Sequence, residues 1–210
     1  MNDYQRLNNL GVVLLEEGRF SDARQCFVAS LGALRKKSFF GKARRRSSKN
    51  ECAEAVIWSA NPDKKLESDD STFIWMRGLR MVSPDSSPMQ DMPGQFATVT
   101  FNGALCLHLL CTEGNPESLR WAVRAYSNVL KILEKTNNKR LKARILVAVY
   151  NNIANLHCQM LDYREAFRWY ALLSRHLNGT DCHDDIVASD REGIVTNLLF
   201  CCNPHIAAAA

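Results

Sequence analysis

Apolar positions recur at helical spacing in three segments of the chain and predict paired amphipathic helices. These segments span residues 7–31, 101–130 and 150–173, and a fainter fourth segment begins at Val195. In each of the three, the first helix carries a small residue, the next helix carries a second one, and an aromatic residue follows four positions later. In chain order these residues are Gly11, Ala23 and Phe27, then Ala104, Ala122 and Tyr126, then Ala154, Ala166 and Tyr170. Because antiparallel helices approach closely only where small side chains face each other, the pattern predicts an all-α protein built from helical hairpins.

The ordered positions of these small and aromatic residues resemble the tetratricopeptide repeat, a helix–turn–helix unit of about 34 residues. The layout is also similar to that of short algal proteins of this class, in which a first repeat, a variable insert, two further repeats and an Ala-rich C-terminus follow one another. The resemblance covers roughly half of the chain and implies a short α-solenoid, a stack of antiparallel hairpins. It implies an architecture and no activity. The alternative is a generic bundle of amphipathic helices.

The same pattern divides the chain into five regions. They are a first hairpin at 1–38, a loop-rich insert at 39–95, two elongated hairpins at 96–178, a capping helix at 179–203 and a tail at 204–210. Gly18 and the pair Asp162-Tyr163 are predicted to mark tight turns within hairpins. The insert holds four of the six prolines, which indicates a segment with little regular structure.

Residues 72–82 inside this insert are an anomaly, because they are apolar while their surroundings are polar. The run from Phe73 to Val82 is β-prone at its start and is interrupted by Gly78, so it is too short for a good helix. An exposed patch of this kind would be adhesive. We therefore expect the segment to fold back against the helices, and we hypothesise that it enters the concave groove as a tethered pseudo-ligand. The alternative is that it covers an outer flank of the first or second repeat.

Positive charge is concentrated in one place. The net charge is +5, and residues 35–49 carry eight cations and no acid, so the rest of the chain is slightly acidic. Four interpretations remain open for this basic segment: a nuclear-localisation patch, a docking strip for acidic partners or RNA, a phosphorylation site at Ser47 or Ser48, and a solubilising loop. No aromatic residues are interleaved among the arginines 44–46, which argues against binding of single-stranded nucleic acid.

Candidate binding residues follow from the resemblance, because the first helix of each tetratricopeptide hairpin lines an inner groove. The predicted groove residues are Gln5, Asn8, Asn9, Val12, Thr98, Phe101, Asn102, Leu105, Ala148, Asn151, Asn152, Asn155 and Asn197. Asparagine occurs at equivalent positions in each unit, although its helix propensity is low. These residues are Asn9, Asn102, Asn152 and Asn197. A side-chain amide donates and accepts at once, which suits the backbone of an extended peptide. The alternative is that these amides only bind neighbouring helices.

One well-known form of this groove binds the C-terminal carboxylate of chaperones and needs three cations among its asparagines. Here the corresponding series is Gln5, Asn9, Asn102, Ala148 and Asn152, in which both required asparagines of the first two repeats are present and every cation is missing. A terminal carboxylate would find its charge poorly compensated. The sequence therefore predicts that this protein does not bind chaperone tails.

The sequence predicts neither catalysis nor a cofactor, because its five histidines form no arrangement with acids or nucleophiles and no Gly-rich phosphate loop occurs. The eight cysteines are interpreted as reduced, buried residues, with a zinc site at Cys182, His183, Cys201 and Cys202 as the alternative. No apolar run is long enough to span a membrane, and the first residues do not look like a secretory signal. We expect a cytoplasmic location, with the nucleus as the alternative.

These observations favour a non-enzymatic adaptor that binds a peptide or partner segment of unknown identity in the concave groove. The alternative is a regulated module whose basic insert binds acidic partners or nucleic acid.

Overall fold

A computed structural model of the chain describes residues 1–40, 56–58, 74–82, 91–112, 117–179, 186 and 188–202. Within these ranges lie seven α-helices and two short strands. They are α1 (Asp3–Glu16), α2 (Phe20–Phe40), β1 (Val56–Trp58), β2 (Leu79–Met81), α3 (Met92–Thr112), α4 (Glu117–Leu133), α5 (Lys139–Gln159), α6 (Tyr163–Gly179) and α7 (Ala188–Cys202). The predicted all-α class is confirmed. Among the described helices, none is both long and apolar enough to cross a membrane.

The boundaries of these elements refine the five regions. Helix α2 continues to Phe40 and helix α3 begins at Met92, so both extend a few residues into the range 39–95. Among the described residues of the segment predicted to be strand-like, 74–82, the strand is Leu79–Met81, and residues 74–78 have no regular structure. Strand β2 pairs antiparallel with β1, with Ile57 opposite Arg80. The predicted tail, residues 204–210, lies outside the described residues.

The chain divides into two compact units. The first comprises Met1–Lys64 and Met76–Leu141 and includes α1 to α4 and the β1–β2 ribbon. The second comprises Lys65–Trp75 and Lys142–Ala210 and includes most of α5, with α6 and α7. The boundary therefore cuts the apolar segment between Trp75 and Met76.

In the first unit, each helix packs on the next one along the chain: α1 on α2, α2 on α3, and α3 on α4. Gly11 shows why a small residue is needed, because a Cβ built there would lie 2.6 Å from Cε1 of the buried Phe27. The α3–α4 pair is similar, since Ala104 and Ala122 are fully buried and the rings of Phe101 and Tyr126 lie 6.1 Å apart. The small residues, with the aromatic residues opposite them, thus allow the two helices of each hairpin to pack closely.

The second unit contains most of the α5–α6 hairpin. The rings of Tyr150 and Trp169 lie 5.9 Å apart, and a ring nitrogen of His176 lies 3.2 Å from the carbonyl oxygen of Ala143. Helix α7 contacts α6, and its Ile194 is buried.

The α1–α2 and α5–α6 turns are built in the same way. Gly18 has a φ of 75° and Leu161 a φ of 58°, both in the left-handed region. The N–H of Gly18 donates to the carbonyl three residues before it, and the N–H of Arg19 donates to the carbonyl five residues before it. The N–H groups of Leu161 and Asp162 make the same two hydrogen bonds in the α5–α6 turn. Such bonds close a helix at a left-handed residue. The left-handed position of the third hairpin is therefore Leu161, one residue before the predicted pair Asp162-Tyr163, and Asp162 instead accepts a hydrogen bond from the amide of Glu165.

Because leucine is strained in the left-handed region, Leu161→Gly is expected to stabilise the protein. The Leu161 side chain is 73% exposed, so little packing is lost. Relief of about 1–2 kcal/mol of strain, offset by the greater freedom of glycine in the unfolded chain, leaves a gain of about 0.5–1 kcal/mol. Urea unfolding measures it. Met160→Gly, next to it and without a positive φ, is the control and is expected to destabilise. A loss of stability in Leu161→Gly would contradict the assigned turn.

Candidate functional site

Asn102 on α3 binds both backbone groups of Leu79 in strand β2. Its Oδ1 accepts a hydrogen bond from the Leu79 N–H at 2.8 Å, and its Nδ2 donates to the Leu79 carbonyl at 2.9 Å. The same Nδ2 donates to Oδ1 of Asn8 on α1, and Nδ2 of Asn8 donates to the Leu79 carbonyl at 2.9 Å. Asn8 and Asn102 are fully buried. Two helices thus hold one residue of the strand through a closed set of amides.

Asn9 on α1 does the same for Met81. Its Oδ1 accepts from the Met81 N–H at 2.7 Å, and its Nδ2 donates to the Met81 carbonyl at 2.8 Å. Successive residues of a strand point their backbone groups to opposite edges, so Leu79 and Met81 present theirs to the same edge. That edge is covered by asparagines, and β1 pairs along the other edge. Strand β2 is therefore hydrogen-bonded on both sides.

Two further contacts join α1 to Gly78 and to strand β2. Gly78 lies against Val12, and a Cβ built at Gly78 would be 3.2 Å from both Val12 Cγ atoms. Arg80 forms an ion pair with Glu16 through Nη2 and Oε2. The side chains of Leu79 and Met81 are buried. We call the residues that make these contacts the first-unit clamp: Asn8, Asn9, Val12, Glu16 and Asn102.

The second unit repeats the asparagine contact on its own part of the apolar segment. Oδ1 of Asn152 accepts from the Trp75 N–H at 2.8 Å, and its Nδ2 donates to the Trp75 carbonyl at 3.0 Å. Behind it, Nδ2 of Asn151 donates to Oδ1 of Asn152, and Nδ2 of Asn197 donates to Oδ1 of Asn151 at 2.8 Å. All four residues are buried. A relay of amides from α7 through α5 therefore orients the group that binds Trp75.

The hypothesis that the apolar segment folds back against the helices is confirmed for residues 75–81. The asparagines also bind neighbouring helices, as in the alternative interpretation, since Asn102 donates to Asn8 and Asn197 donates to Asn151. One amide of each set therefore positions another, in addition to the bonds to the segment.

The other predicted groove residues make contacts within or between the helices. Gln5 accepts from the Asn2 N–H at the start of α1, Thr98 donates to the carbonyl of Gly94, and Asn155 accepts from Gln159. Phe101 packs in the α3–α4 hairpin. Leu105 and Ala148 are fully buried. The resemblance gave one list of groove residues and did not distinguish those that contact the segment, such as Asn9 and Asn102, from those that pack between helices, such as Phe101.

Glu16 and Gly78 were missed by the sequence analysis. Glu16 lies seven positions after Asn9, so the two share one face of α1. The sequence did contain a signal for this ion pair. An acid lies on the asparagine face, and an arginine lies inside the apolar segment.

Cys106 and Cys111 are poor nucleophiles. Burial raises the pKa of the Cys106 thiol, and it raises the pKa of Cys111 to about 11. A thiol reacts as its thiolate, so both are protonated near neutral pH. No group of three or more His, Cys, Asp or Glu residues that could hold a metal occurs in the described part of the chain. Of the alternative zinc ligands, Cys182 and His183 lie outside it, as do the side chains of Cys201 and Cys202.

The basic segment is described only where it belongs to α2. Lys37 lies 4.9 Å from the centre of the Tyr4 ring, and partial burial lowers the pKa of its ammonium group. The cations from Lys42 onward, and the candidate phosphorylation sites Ser47 and Ser48, lie outside the described residues.

Comparison of the chain with protein-family models, with curated proteins and with solved structures finds no match.

Proposed function

We propose that the protein is a non-enzymatic adaptor that binds an extended segment of a partner protein in place of its own apolar segment. The observation that carries the proposal is the paired hydrogen bonding by Asn9 and Asn102. Each uses both polar atoms of its amide to bind the N–H and the carbonyl of one residue.

This chemistry suits peptide binding because it addresses the backbone. Every residue except proline carries one donor and one acceptor on its main chain. A side-chain amide offers one acceptor and two donors, so it replaces a neighbouring strand at that position. Strand addition of this kind takes its affinity from main-chain bonds and its specificity from the side chains.

The proposal includes a tetratricopeptide-like stacking of the hairpins in the first unit. Its support is the succession of packed neighbours from α1 to α4, together with asparagines on the first helix of each hairpin. The identical closing turns of α1–α2 and α5–α6 further support a repeated unit.

A tethered segment competes strongly with any partner. The effective concentration of a segment on a short linker is roughly millimolar, so an incoming peptide must overcome it. We therefore expect the intact chain to bind peptides much more weakly than a chain whose own segment is removed.

The test replaces residues 74–82 with nine glycine and serine residues in the otherwise complete chain. A fluorescein-labelled peptide of residues 74–82 is added, and fluorescence anisotropy measures its binding. The opened chain is expected to bind the peptide at least about ten-fold more tightly than the intact chain. Asn9→Ala with Asn102→Ala in the opened chain is expected to abolish binding.

The exposed Asn128 on α4 provides a matched control. Asn128→Ala removes an amide that does not belong to the clamp, so it is expected to leave binding unchanged. An opened chain with native helical circular dichroism that binds no peptide would reject the adaptor proposal.

A further inference from the structure

We infer that the first-unit clamp selects partner segments with the order glycine, aliphatic, basic, aliphatic, read at the positions that Gly78, Leu79, Arg80 and Met81 occupy. This inference rests on the proposed function and defines the class of peptide that the adaptor takes. Each of the four positions makes different contacts with the clamp.

The first position is too close to Val12 for an unstrained side chain. A Cβ at Gly78 would lie 3.2 Å from both Cγ atoms of Val12, which is tighter than an ordinary contact, and 3.6 Å from Oδ1 of Asn102, which is an ordinary contact. Val12 is fully buried, so its side chain is surrounded by the protein. Any residue larger than glycine requires Val12 or the strand to shift by a few tenths of an ångström.

The second and fourth positions combine backbone and side-chain recognition. Leu79 is 1% exposed and Met81 is 2% exposed, and these are the same residues whose N–H and carbonyl groups bind Asn102 and Asn9. Alternate residues of a strand share one face, so a spacing of two brings both side chains to that face. Proline is excluded at either position because it has no N–H to donate.

The third position requires a cation. The Glu16 carboxylate is mostly buried, and Arg80 pairs with its Oε2. The other oxygen, Oε1, is buried and has no hydrogen-bond partner among the described residues. A carboxylate in this setting is costly without an opposite charge, so a neutral or acidic residue in the partner would leave it uncompensated.

The experiment measures the affinity of the opened chain for four labelled peptides. They are the native sequence of residues 74–82 and its variants with Gly78→Ala, Leu79→Pro and Arg80→Glu. We expect Gly78→Ala and Arg80→Glu each to weaken binding at least about ten-fold, and Leu79→Pro to abolish it. Glu16→Arg in the opened chain is expected to restore binding of the Arg80→Glu peptide and to weaken binding of the native peptide.

A second measurement applies to the intact chain, in case the opened chain does not fold. Arg80→Glu and Glu16→Arg are made singly and together, and hydrogen exchange reports the amides of Leu79 and Met81. Each single variant is expected to speed this exchange at least about ten-fold, and the double variant is expected to restore protection. Failure of the double variant to restore it would overturn the inference.

The outcomes separate the two proposals. An opened, folded chain that binds no peptide rejects the adaptor and with it the selectivity. A chain that binds the native, Gly78→Ala and Arg80→Glu peptides equally well keeps the adaptor and overturns the selectivity.

Discussion

Asn102→Ala is expected to lower the free energy of unfolding by about 3 kcal/mol, since it leaves one buried backbone N–H and one buried side-chain oxygen without these partners, at about 1–3 kcal/mol for each unsatisfied group. The substitution removes the acceptor of the Leu79 N–H and the donor to Asn8 Oδ1. The Leu79 carbonyl keeps its bond from Asn8, so the loss is smaller than the number of bonds suggests. Denaturant unfolding measures the free energy, and hydrogen exchange at Leu79 is expected to accelerate.

The control for this substitution is Asn128→Ala, which removes an exposed amide from a helix of the same unit. It is expected to change the free energy of unfolding by less than about 0.5 kcal/mol. A loss below about 1 kcal/mol for Asn102→Ala, with the Leu79 amide still protected, would show that the asparagine does not hold the strand.

Trp75→Ala is expected to cost about 3–5 kcal/mol, the range for truncating a large buried aromatic side chain. Trp75 is 1% exposed and lies in the second unit, where Asn152 binds its backbone N–H and carbonyl. The variant therefore separates side-chain burial from amide binding. Asn152→Ala tests the second contribution and is expected to cost about 2–3 kcal/mol through an unsatisfied Trp75 N–H. Denaturant unfolding measures both.

The chain offers a matched control in Trp121, which is 56% exposed on α4 and lies beside Arg124. Trp121→Ala is expected to cost less than about 1 kcal/mol, because little apolar area and an exposed cation–π contact are lost. Equal costs for Trp75→Ala and Trp121→Ala would contradict the burial of the segment.

Sequence reasoning predicted the helical hairpins because their signals are local. Gly11, Ala23 and Phe27 lie within one hairpin, and the recurrence of the same small and aromatic types in the other hairpins predicts a close approach of paired helices. The left-handed turn was placed one residue late because Leu161 lacks the usual sign of such a position, a glycine.

The candidate site was predicted in part. The sequence indicated a face of asparagines and an apolar segment that needed cover, and both belong to the site. It did not indicate which residue of the segment meets which asparagine. Glu16 and Arg80 are 64 residues apart, and nothing in their local context relates them.

By itself, the sequence determined the all-α class, the helix pairing and the set of amides able to bind a backbone, because each depends on periodicity and side-chain chemistry within a few turns. Only the tertiary structure decided that these amides hold residues 75, 79 and 81 of the same chain. The physical reason is that a hydrogen bond between distant residues depends on the path of the chain between them. Helical periodicity is a local pattern and does not determine that path.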